Sequence, residues 1–234
     1  MLIMFAAEVK RQANAWRRRP MLPKTEPMMD EISNTREPAK PASRFAPLTP
    51  ETMSDDQRRL AEAISAFSLN GIRGPFNMML RSPEAAARFQ AMGSYLRFHT
   101  GLDEHLVELA ILVHARVWND EYEWSLHAPR AAKAGLSPPV IDAIRLGNVP
   151  AALAPDEEIV FRYAAELELF RRVDEKTFRS AFDLLGERGV TDFVFMLGQY
   201  ATISLILAVS GDGLAPNDLP PVDRPFAQYP APRR

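Results

Sequence analysis

The chain has 234 residues, of which 47% are apolar and 25% are charged, a composition that excludes a disordered or collagen-like chain. Lys and Arg number 28 against 30 Asp and Glu, so the net charge of −2 gives no whole-domain basic field for nucleic acid. Cysteine is absent, which excludes disulfides, thiolate nucleophiles, Cys-ligated metal sites and a dithiol peroxidase cycle.

Proline and glycine usage divides the chain into two arms and a body. Thirteen of the 20 prolines fall in residues 1–50 and 215–234, whereas all 11 glycines lie between 71 and 213. This distribution predicts a flexible, basic and proline-rich N-terminal arm over 1–50, a helical domain over 51–214, and a proline-rich, poorly ordered C-terminal tail over 215–234.

The ends of the chain also bear on location. The basic N-terminal segment is compatible with contact to a membrane or nucleic acid, but an unstructured extension is the favoured interpretation. The apolar stretch over 2–7 is too short for a secretory signal, and the longest apolar run, 196–209, is interrupted by polar residues. We therefore expect a cytoplasmic protein with neither a membrane nor a nucleic acid as its partner.

The apolar period of the body is helical, with no sustained alternation of period two. A capping box over 54–57 begins the first predicted helix, and Ser-Pro pairs begin two others. The predicted helices, in chain order, start at 54 and 82, run from 100 or 103 to about 118 and from 120 to about 133, start at 137 and end before 147, and span 156–171, 174–185 and 191–209. The sequence therefore predicts an all-α, compact bundle of about eight helices.

Two predicted helices, 102–118 and 191–209, are apolar on nearly every face. A helix of this kind has to be buried within a bundle or between subunits. Because the connections are short, we expect antiparallel neighbours around these two central helices.

One group of titratable residues stands out. Asp120, Glu123 and His127 lie three and four positions apart and share one helix face. Glu108 sits in the preceding, nearly all-apolar helix, where an ionised carboxylate needs a partner. If the two helices are antiparallel, Glu108 faces the Glu123–His127 pair. Two carboxylates and an imidazole in apolar surroundings provide the shifted pKa values that acid/base catalysis near neutral pH needs.

Structural interpretations of the same residues remain open. Asp120 and Glu123 also fit a helix cap, and Glu123 and His127 fit a surface pair. A solvent-facing Glu108 is a further alternative. Metal binding is disfavoured, because HExxH and paired Glu-x-x-His motifs are missing. His114, surrounded by apolar residues, is expected to be a hydrogen-bonded core histidine.

The segment around these residues resembles a known family. Glu108 with 110–116 (AILVHAR), followed by 121–127 (EYEWSLH) and 134–137 (AGLS), looks like the carboxymuconolactone decarboxylase/alkylhydroperoxidase-D superfamily. The likeness is specific over about 100–137 and extends more loosely from 74 to 200. It implies an all-α fold of the alkylhydroperoxidase-D-like type and a homo-oligomer, from dimer to hexamer.

The resemblance also implies a site. In the peroxidase branch the helix carries Cys-x-x-Cys-x-x-x-His; here Asp120 and Glu123 stand at the cysteine positions, His127 matches the histidine and Glu108 the relay glutamate. The missing sulfurs point to the decarboxylase-like branch, which acts without a cofactor on small lactone carboxylic acids in aromatic catabolism. The implied activity is a carboxy-lyase such as a 4-carboxymuconolactone decarboxylase; an isomerase or hydrolase on another ring acid, or a non-catalytic ligand-binding or oligomeric scaffold, are the alternatives.

Roles follow for single residues. His127 is the expected proton donor, held by Glu123 or Glu108. Arg116 is a candidate for binding the substrate carboxylate, since Arg matches that group bidentately; the alternative is a buried salt bridge to Glu108 or Asp120. Asp120 and Trp124 are further substrate-binding candidates, with core packing as the alternative for Trp124.

Overall fold

The computed structural model describes residues 43–65, 72, 74–212 and 219–232. These residues belong to one unit, 40–234, and residues 1–42 of the predicted arm over 1–50 lie outside them. Within the described residues all regular secondary structure is helical, which confirms the all-α prediction. In chain order the helices are α1 Asp55–Ser65, α2 Pro75–Met79, α3 Pro83–Phe98, α4 Glu104–Val117, α5 Glu121–Lys133, α6 Pro138–Arg145, α7 Pro155–Phe170 and α8 Glu175–Ser210.

Side-chain caps and prolines fix where the helices begin. The backbone N–H of Ser54 donates to Gln57 Oε1 (2.9 Å) and that of Gln57 donates to Ser54 Oγ (3.3 Å), so the predicted capping box starts α1. Asp120 and Asp174 cap α5 and α8 by accepting backbone N–H groups. Four helices, α2, α3, α6 and α7, have a proline in the first turn, where its missing N–H costs nothing.

Helix α4 is the centre of the main core. Every residue from Leu106 to Arg116 is buried, and α4 packs chiefly against α5 and α7. The all-round apolar pattern of 102–118 therefore predicted a buried helix correctly. Truncating one of its fully buried side chains, such as Leu112, is expected to cost about 2–5 kcal/mol.

Helix α8 confirms the predicted break and differs from its prediction in burial. The predicted helices 174–185 and 191–209 lie in one span, Glu175–Ser210, as two helical segments that meet at a kink at Gly186 (φ 69°, ψ 174°). Glycine adopts this positive φ without strain. The second segment is not buried all round, because an apolar stripe at Val194, Phe195, Leu205 and Val209 is exposed.

Among the described residues, α8 alone is long and apolar enough to span a membrane, and 39% of its most apolar window is buried inside the protein. Length and composition of this kind are weak support for a span, because core helices meet the same criterion. Both predicted central helices, α4 and α8, pack against other helices of the bundle, and α8 contacts α3, α4 and α7.

The C-terminal tail packs on the body instead of extending away from it. Leu219 and Phe226 are buried in the main core cluster. The Phe226 ring meets Phe161 of α7 edge-on, with centroids 5.2 Å apart, and its backbone N–H donates to Gly147 O (2.6 Å). The expectation of a poorly ordered tail is therefore wrong for residues 219–232, since apolar residues between the prolines give this segment a face to bury.

Candidate acid/base site

His127 and Glu108 form the centre of the site. Helix α4 ends at Val117, a tight turn follows, and α5 returns beside α4 from Glu121. His127 Nδ1 and Glu108 Oε2 are consequently 2.6 Å apart, although 19 positions separate the two residues. Both side chains are almost fully buried. The structure thus brings Glu108 to the Glu123–His127 pair and leaves it far from solvent.

The second ring nitrogen of His127 faces two further groups. His127 Nε2 lies 3.3 Å from Glu123 Oε2 and 3.3 Å from the Tyr200 hydroxyl of α8. The Tyr200 ring meets the imidazole edge-on, with centroids 5.2 Å apart. Both sides of the imidazole therefore face oxygen atoms, and the aromatic contact fixes the ring orientation.

Arg97, from the last turn of α3, completes the site. Its Nη1 donates to Glu108 Oε1 at 2.8 Å, so the two oxygens of Glu108 are shared between a guanidinium and an imidazole. The Arg97 side chain is 23% exposed, which makes it the most solvent-accessible member of the group. Glu108 is thus a buried carboxylate with a charged donor on each oxygen, the condition under which buried ionised carboxylates are retained.

Sequence reasoning missed Arg97 and Tyr200 as site residues. A tyrosine in an apolar helix indicates that its hydroxyl needs a partner, but nothing in the spacing says that the partner is His127. Arg97 is 11 positions from Glu108, beyond helical spacing, and the contact depends on how α3 packs.

Neighbouring charges shift the pKa values of His127 and Glu108 in opposite directions, each toward the charged form of its group. Burial alone disfavours the imidazolium, but hydrogen bonds and charges from Glu108 and Glu123 outweigh it and raise the pKa of His127 above its ordinary value. Burial alone also disfavours the ionised carboxylate, but His127 and Arg97 outweigh it and hold the pKa of Glu108 below its ordinary value. Burial, together with Glu123, raises the pKa of Tyr200, which stays a neutral phenol. Both shifts favour the charged forms, an imidazolium beside a carboxylate.

Asp120 lies at the start of α5 and contacts the site through the backbone. Its Oδ1 accepts the N–H of Glu123 at 3.0 Å, and its Oδ2 accepts the Ser204 hydroxyl. The capping interpretation of Asp120 is therefore correct, and the cap directly orients the residue that faces His127 Nε2.

Arg116 and Trp124 are both buried in the interior. The Arg116 guanidinium donates to the carbonyls of Arg145 (2.7 Å) and Pro220 (2.9 Å) and to Asn119 Oδ1. All these acceptors are neutral oxygens, so both expectations for Arg116, a substrate carboxylate and a salt bridge to Glu108 or Asp120, give way to a role in holding α6 and the tail. Burial disfavours its charge and lowers the pKa of Arg116.

Trp124 is a member of the main core cluster. The packing alternative for this residue is therefore favoured by its position. His114 is a hydrogen-bonded core histidine, as expected, bound to Glu168 Oε1 (2.8 Å) and Ser204 Oγ (3.1 Å).

Two surface cavities lie along α7, with volumes of about 310 and 210 Å³. Their walls are formed by residues of the 149–153 loop, α7, α8 and the tail, and His127, Glu108 and Glu123 line neither of them. The three side chains are buried, so a substrate has to displace other side chains to reach them. Across the described residues, no group of three or more His, Asp or Glu side chains is arranged to hold a metal ion.

Comparison with known proteins finds a family model that matches the part of the chain that carries the site. Residues 83–166, from the start of α3 into α7 and including Glu108, Glu123 and His127, match the model of the carboxymuconolactone decarboxylase family.

A solved structure is similar in fold: the alkylhydroperoxidase AhpD core of an uncharacterized peroxidase-related protein from Ralstonia eutropha JMP134. It is 17% identical, with a TM-score of 0.60 over 77% of this chain and 95% of that chain. No curated protein matches the chain. The helical fold and the matched segment agree with each other: residues 83–166 match the carboxymuconolactone decarboxylase family, and the fold is similar to that of an alkylhydroperoxidase AhpD core.

Proposed function

We propose that the chain is a cofactor-independent carboxy-lyase that decarboxylates a small carboxylated lactone such as 4-carboxymuconolactone. The observation that carries the proposal is the buried His127–Glu108 contact of 2.6 Å, with the other ring nitrogen facing Glu123 and Tyr200. This arrangement holds a proton on an imidazole in surroundings of low polarity, which is what protonation of a carbanion-like intermediate requires.

The bond between the ring carbon and the substrate carboxylate breaks, carbon dioxide leaves, and the electron pair spreads onto the lactone carbonyl as an enolate. His127 then gives its Nε2 proton to the ring carbon. Its Nδ1–H stays on the imidazole and remains hydrogen-bonded to Glu108. Solvent returns one proton to His127, so each turnover consumes one hydrogen ion.

Arg97 takes the role that Arg116 was expected to fill. Its guanidinium is hydrogen-bonded to Glu108, the partner of His127, and its side chain retains contact with solvent. A guanidinium in this position attracts the substrate carboxylate and stabilises the enolate charge that forms next to it. Because His127 is 3% exposed, binding requires the side chains around Arg97 and Tyr200 to move. We further propose that the protein acts as a homo-oligomer in the cytoplasm.

Thiol peroxidase chemistry does not compete with this proposal. The sequence has no cysteine, and Asp120 and Glu123 occupy the positions at which the peroxidase branch carries its dithiol. A carboxylate cannot form a disulfide, whereas it can orient and charge an imidazole.

The test is turnover of 4-carboxymuconolactone by the wild-type protein and by His127→Ala, with carbon dioxide release and lactone loss measured separately. We expect both to fall at least ~100-fold in the variant, with helix content and oligomer size unchanged. His99→Ala is the matched control, because His99 is exposed at the end of α3, and it should keep wild-type rates. Full activity of His127→Ala would refute the proposal.

A second candidate function is a non-catalytic ligand-binding or oligomeric scaffold. The observations that favour it are the burial of His127 and the exposed apolar stripe on α8. On this alternative, Glu108→Gln and Glu123→Gln alter stability or ligand affinity, and the wild-type protein turns over neither 4-carboxymuconolactone nor related ring acids. Lactone loss without carbon dioxide release would instead indicate an isomerase or hydrolase.

A further inference from the structure

The side-chain amide of Gln199, on α8, contains a buried oxygen without a partner. Its Oε1 meets no hydrogen-bond donor among the residues that the structure describes. A buried acceptor without a donor costs free energy, and native structures keep few of them. The residue as a whole is partly exposed, so the amide lies where the protein surface meets the interior.

Gly93 of α3 makes room for this amide. Gly93 is buried, and a Cβ built on it would lie 3.2 Å from Gln199 Cδ and would collide with Nε2. Its φ is not positive, so the helix backbone does not need glycine at this position. Glycine inside a helix is less favourable than alanine. What glycine provides here is space, which lets the Gln199 amide lie directly against the backbone of α3.

The amide lies between the two helices that reach the acid/base site from α3 and α8. Gly93 and Arg97 are four positions apart on α3, so they share one helix face, with Cβ positions about 5–6 Å apart. Gln199 directly precedes Tyr200 on α8, and the Tyr200 hydroxyl is 3.3 Å from His127 Nε2. Gly93, Arg97, Gln199 and Tyr200 thus define an α3–α8 seam beside the site.

We propose that the space over Gly93, which the Gln199 amide fills in the free protein, is the subsite for the ring of a substrate whose carboxylate binds Arg97. Gln199 is the side chain that the substrate displaces. This subsite rests on the function proposed above, which supplies Arg97 as the partner of the carboxylate. A slot that holds a planar amide against a helix backbone fits a flat ring acid and excludes a branched one.

Displacement of the amide breaks few contacts. Oε1 has no hydrogen bond to lose among the described residues, and rotation of the side chain toward solvent hydrates it. Arg97 and Gln199 are partly exposed, whereas Glu108 and His127 are buried. A substrate that approaches Arg97 from solvent therefore meets, at the same seam, a side chain that can leave at little cost.

The test is binding of furan-2-carboxylate, a flat ring acid that has no lactone carbonyl and should not react. Binding is followed by NMR through the ring signals of His127, which His127→Ala assigns. We expect these signals to shift on titration of the wild-type protein. Furfuryl alcohol, which has the same ring without the carboxylate, should bind more weakly because Arg97 then has no anion to pair with. Failure of furan-2-carboxylate to bind the wild-type protein would overturn the proposal.

Gly93→Ala and Gly198→Ala form a matched pair of variants. Gly198 is next to Gln199 in α8, and a Cβ built on it meets no atom of the described residues within 4 Å. Both substitutions favour the helix, but only Gly93→Ala places a methyl group in the subsite. We expect Gly93→Ala to weaken binding of furan-2-carboxylate by roughly 10-fold or more and Gly198→Ala to leave it unchanged. Equal dissociation constants in the two variants would refute the subsite.

Gln199→Ala tests the displacement itself. This variant should bind furan-2-carboxylate more tightly than the wild-type protein, because no amide has to leave. The double variant Gly93→Ala/Gln199→Ala has room for the new methyl group without moving a side chain, so folding is preserved, and it should lose the gain in affinity. Unchanged or weaker binding by Gln199→Ala would show that Gln199 is not displaced and would overturn the proposal.

The same variants separate this inference from the proposed function. The binding measurements need no turnover, so a protein that does not decarboxylate 4-carboxymuconolactone can still show the effect of Gly93→Ala, and only the proposed function then fails. If the wild-type protein turns over, Gly93→Ala should raise KM more than it lowers kcat, and Gly198→Ala should change neither. An unchanged KM in Gly93→Ala would refute the subsite and leave the role of His127 intact.

Discussion

Glu108 is a fully buried carboxylate whose two oxygens bind Arg97 at 2.8 Å and His127 at 2.6 Å. The hydrogen bond between Glu108 and His127 joins α4 to α5 and places a cation in the core. Removing one member of such a pair leaves the other charge buried without compensation, which is the costly outcome.

Glu108→Gln should therefore change both stability and protonation. We expect the free energy of unfolding to fall by about 3–5 kcal/mol, because the imidazolium and the guanidinium lose their common counter-charge. The pKa of His127 should fall as well, since Glu108 is the main group that raises it. Chemical denaturation and NMR titration of His127 measure the two effects. Glu104→Gln, at the start of the same helix and exposed, is the control and should change neither.

The pH dependence of stability follows from the two shifted groups. The raised pKa of His127 adds stability that is fully present below its ordinary value of 6.5 and is lost as pH rises through the folded-state value. The lowered pKa of Glu108 adds stability that is present above 4.5 and is lost as pH falls through its folded-state value. The pair should contribute most between pH 4.5 and 6.5. The unfolding free energies of wild type and His127→Gln should therefore differ most between pH 4.5 and 6.5, and the difference should shrink at higher pH. A difference that stays constant from pH 4.5 to well above 6.5 would contradict the raised pKa of His127.

Tyr200→Phe tests the hydroxyl that faces His127 Nε2 while keeping the edge-on ring contact. Loss of one hydrogen bond should cost about 1 kcal/mol of stability and lower kcat, because the Nε2 proton loses a group that orients it. Steady-state kinetics and denaturation give both values. Tyr95→Phe, which loses a hydroxyl contact to Asp192, is the matched control and should keep the wild-type kcat.

Arg97→Met separates substrate binding from proton transfer. The variant removes the partly exposed cation of the site, so KM for a carboxylated substrate should rise, by roughly 10-fold or more for a charge-assisted contact of about 1.5–3 kcal/mol. The pKa of Glu108 should also rise, because Arg97 helps to lower it. Arg88→Met on the exposed side of the same helix should leave KM unchanged. An unaltered KM in Arg97→Met would refute its role toward substrate.

Phe226→Ala tests whether the tail is part of the folded body. Its ring is buried against Phe161, and its truncation should cost about 3–5 kcal/mol in the free energy of unfolding. The same change at Phe98, which is exposed at the end of α3, should stay within about 0.5 kcal/mol. Equal effects of the two substitutions would show that the tail adds nothing to stability.

Local patterns were sufficient to predict most helices and the central pair of the site. Apolar periodicity identified α4, and the spacing of Glu123 and His127 placed both on one face of α5. The turn after Val117 is short, so antiparallel packing of the two helices followed, and with it the position of Glu108.

Contacts between distant segments were not predictable in this way. Arg97 and Tyr200 reach His127 through the packing of α3 and α8, which no local spacing encodes. The prediction for Arg116 was wrong for a related reason. Its acceptors are the backbone carbonyls of Arg145 and Pro220, and the residue types in a sequence do not show which carbonyls a side chain reaches. The break after 185 was predictable from the sequence, because the apolar pattern ends there, and Gly186 forms the kink between the two segments of α8.

The most direct test of the acid/base site is the rate of carbon dioxide release from 4-carboxymuconolactone by wild-type protein and His127→Ala at equal concentration. We expect release that matches lactone loss in the wild-type protein and a fall of at least ~100-fold in the variant. Equal rates in the two proteins, or lactone loss with no carbon dioxide from the wild type, would contradict a decarboxylase that depends on His127.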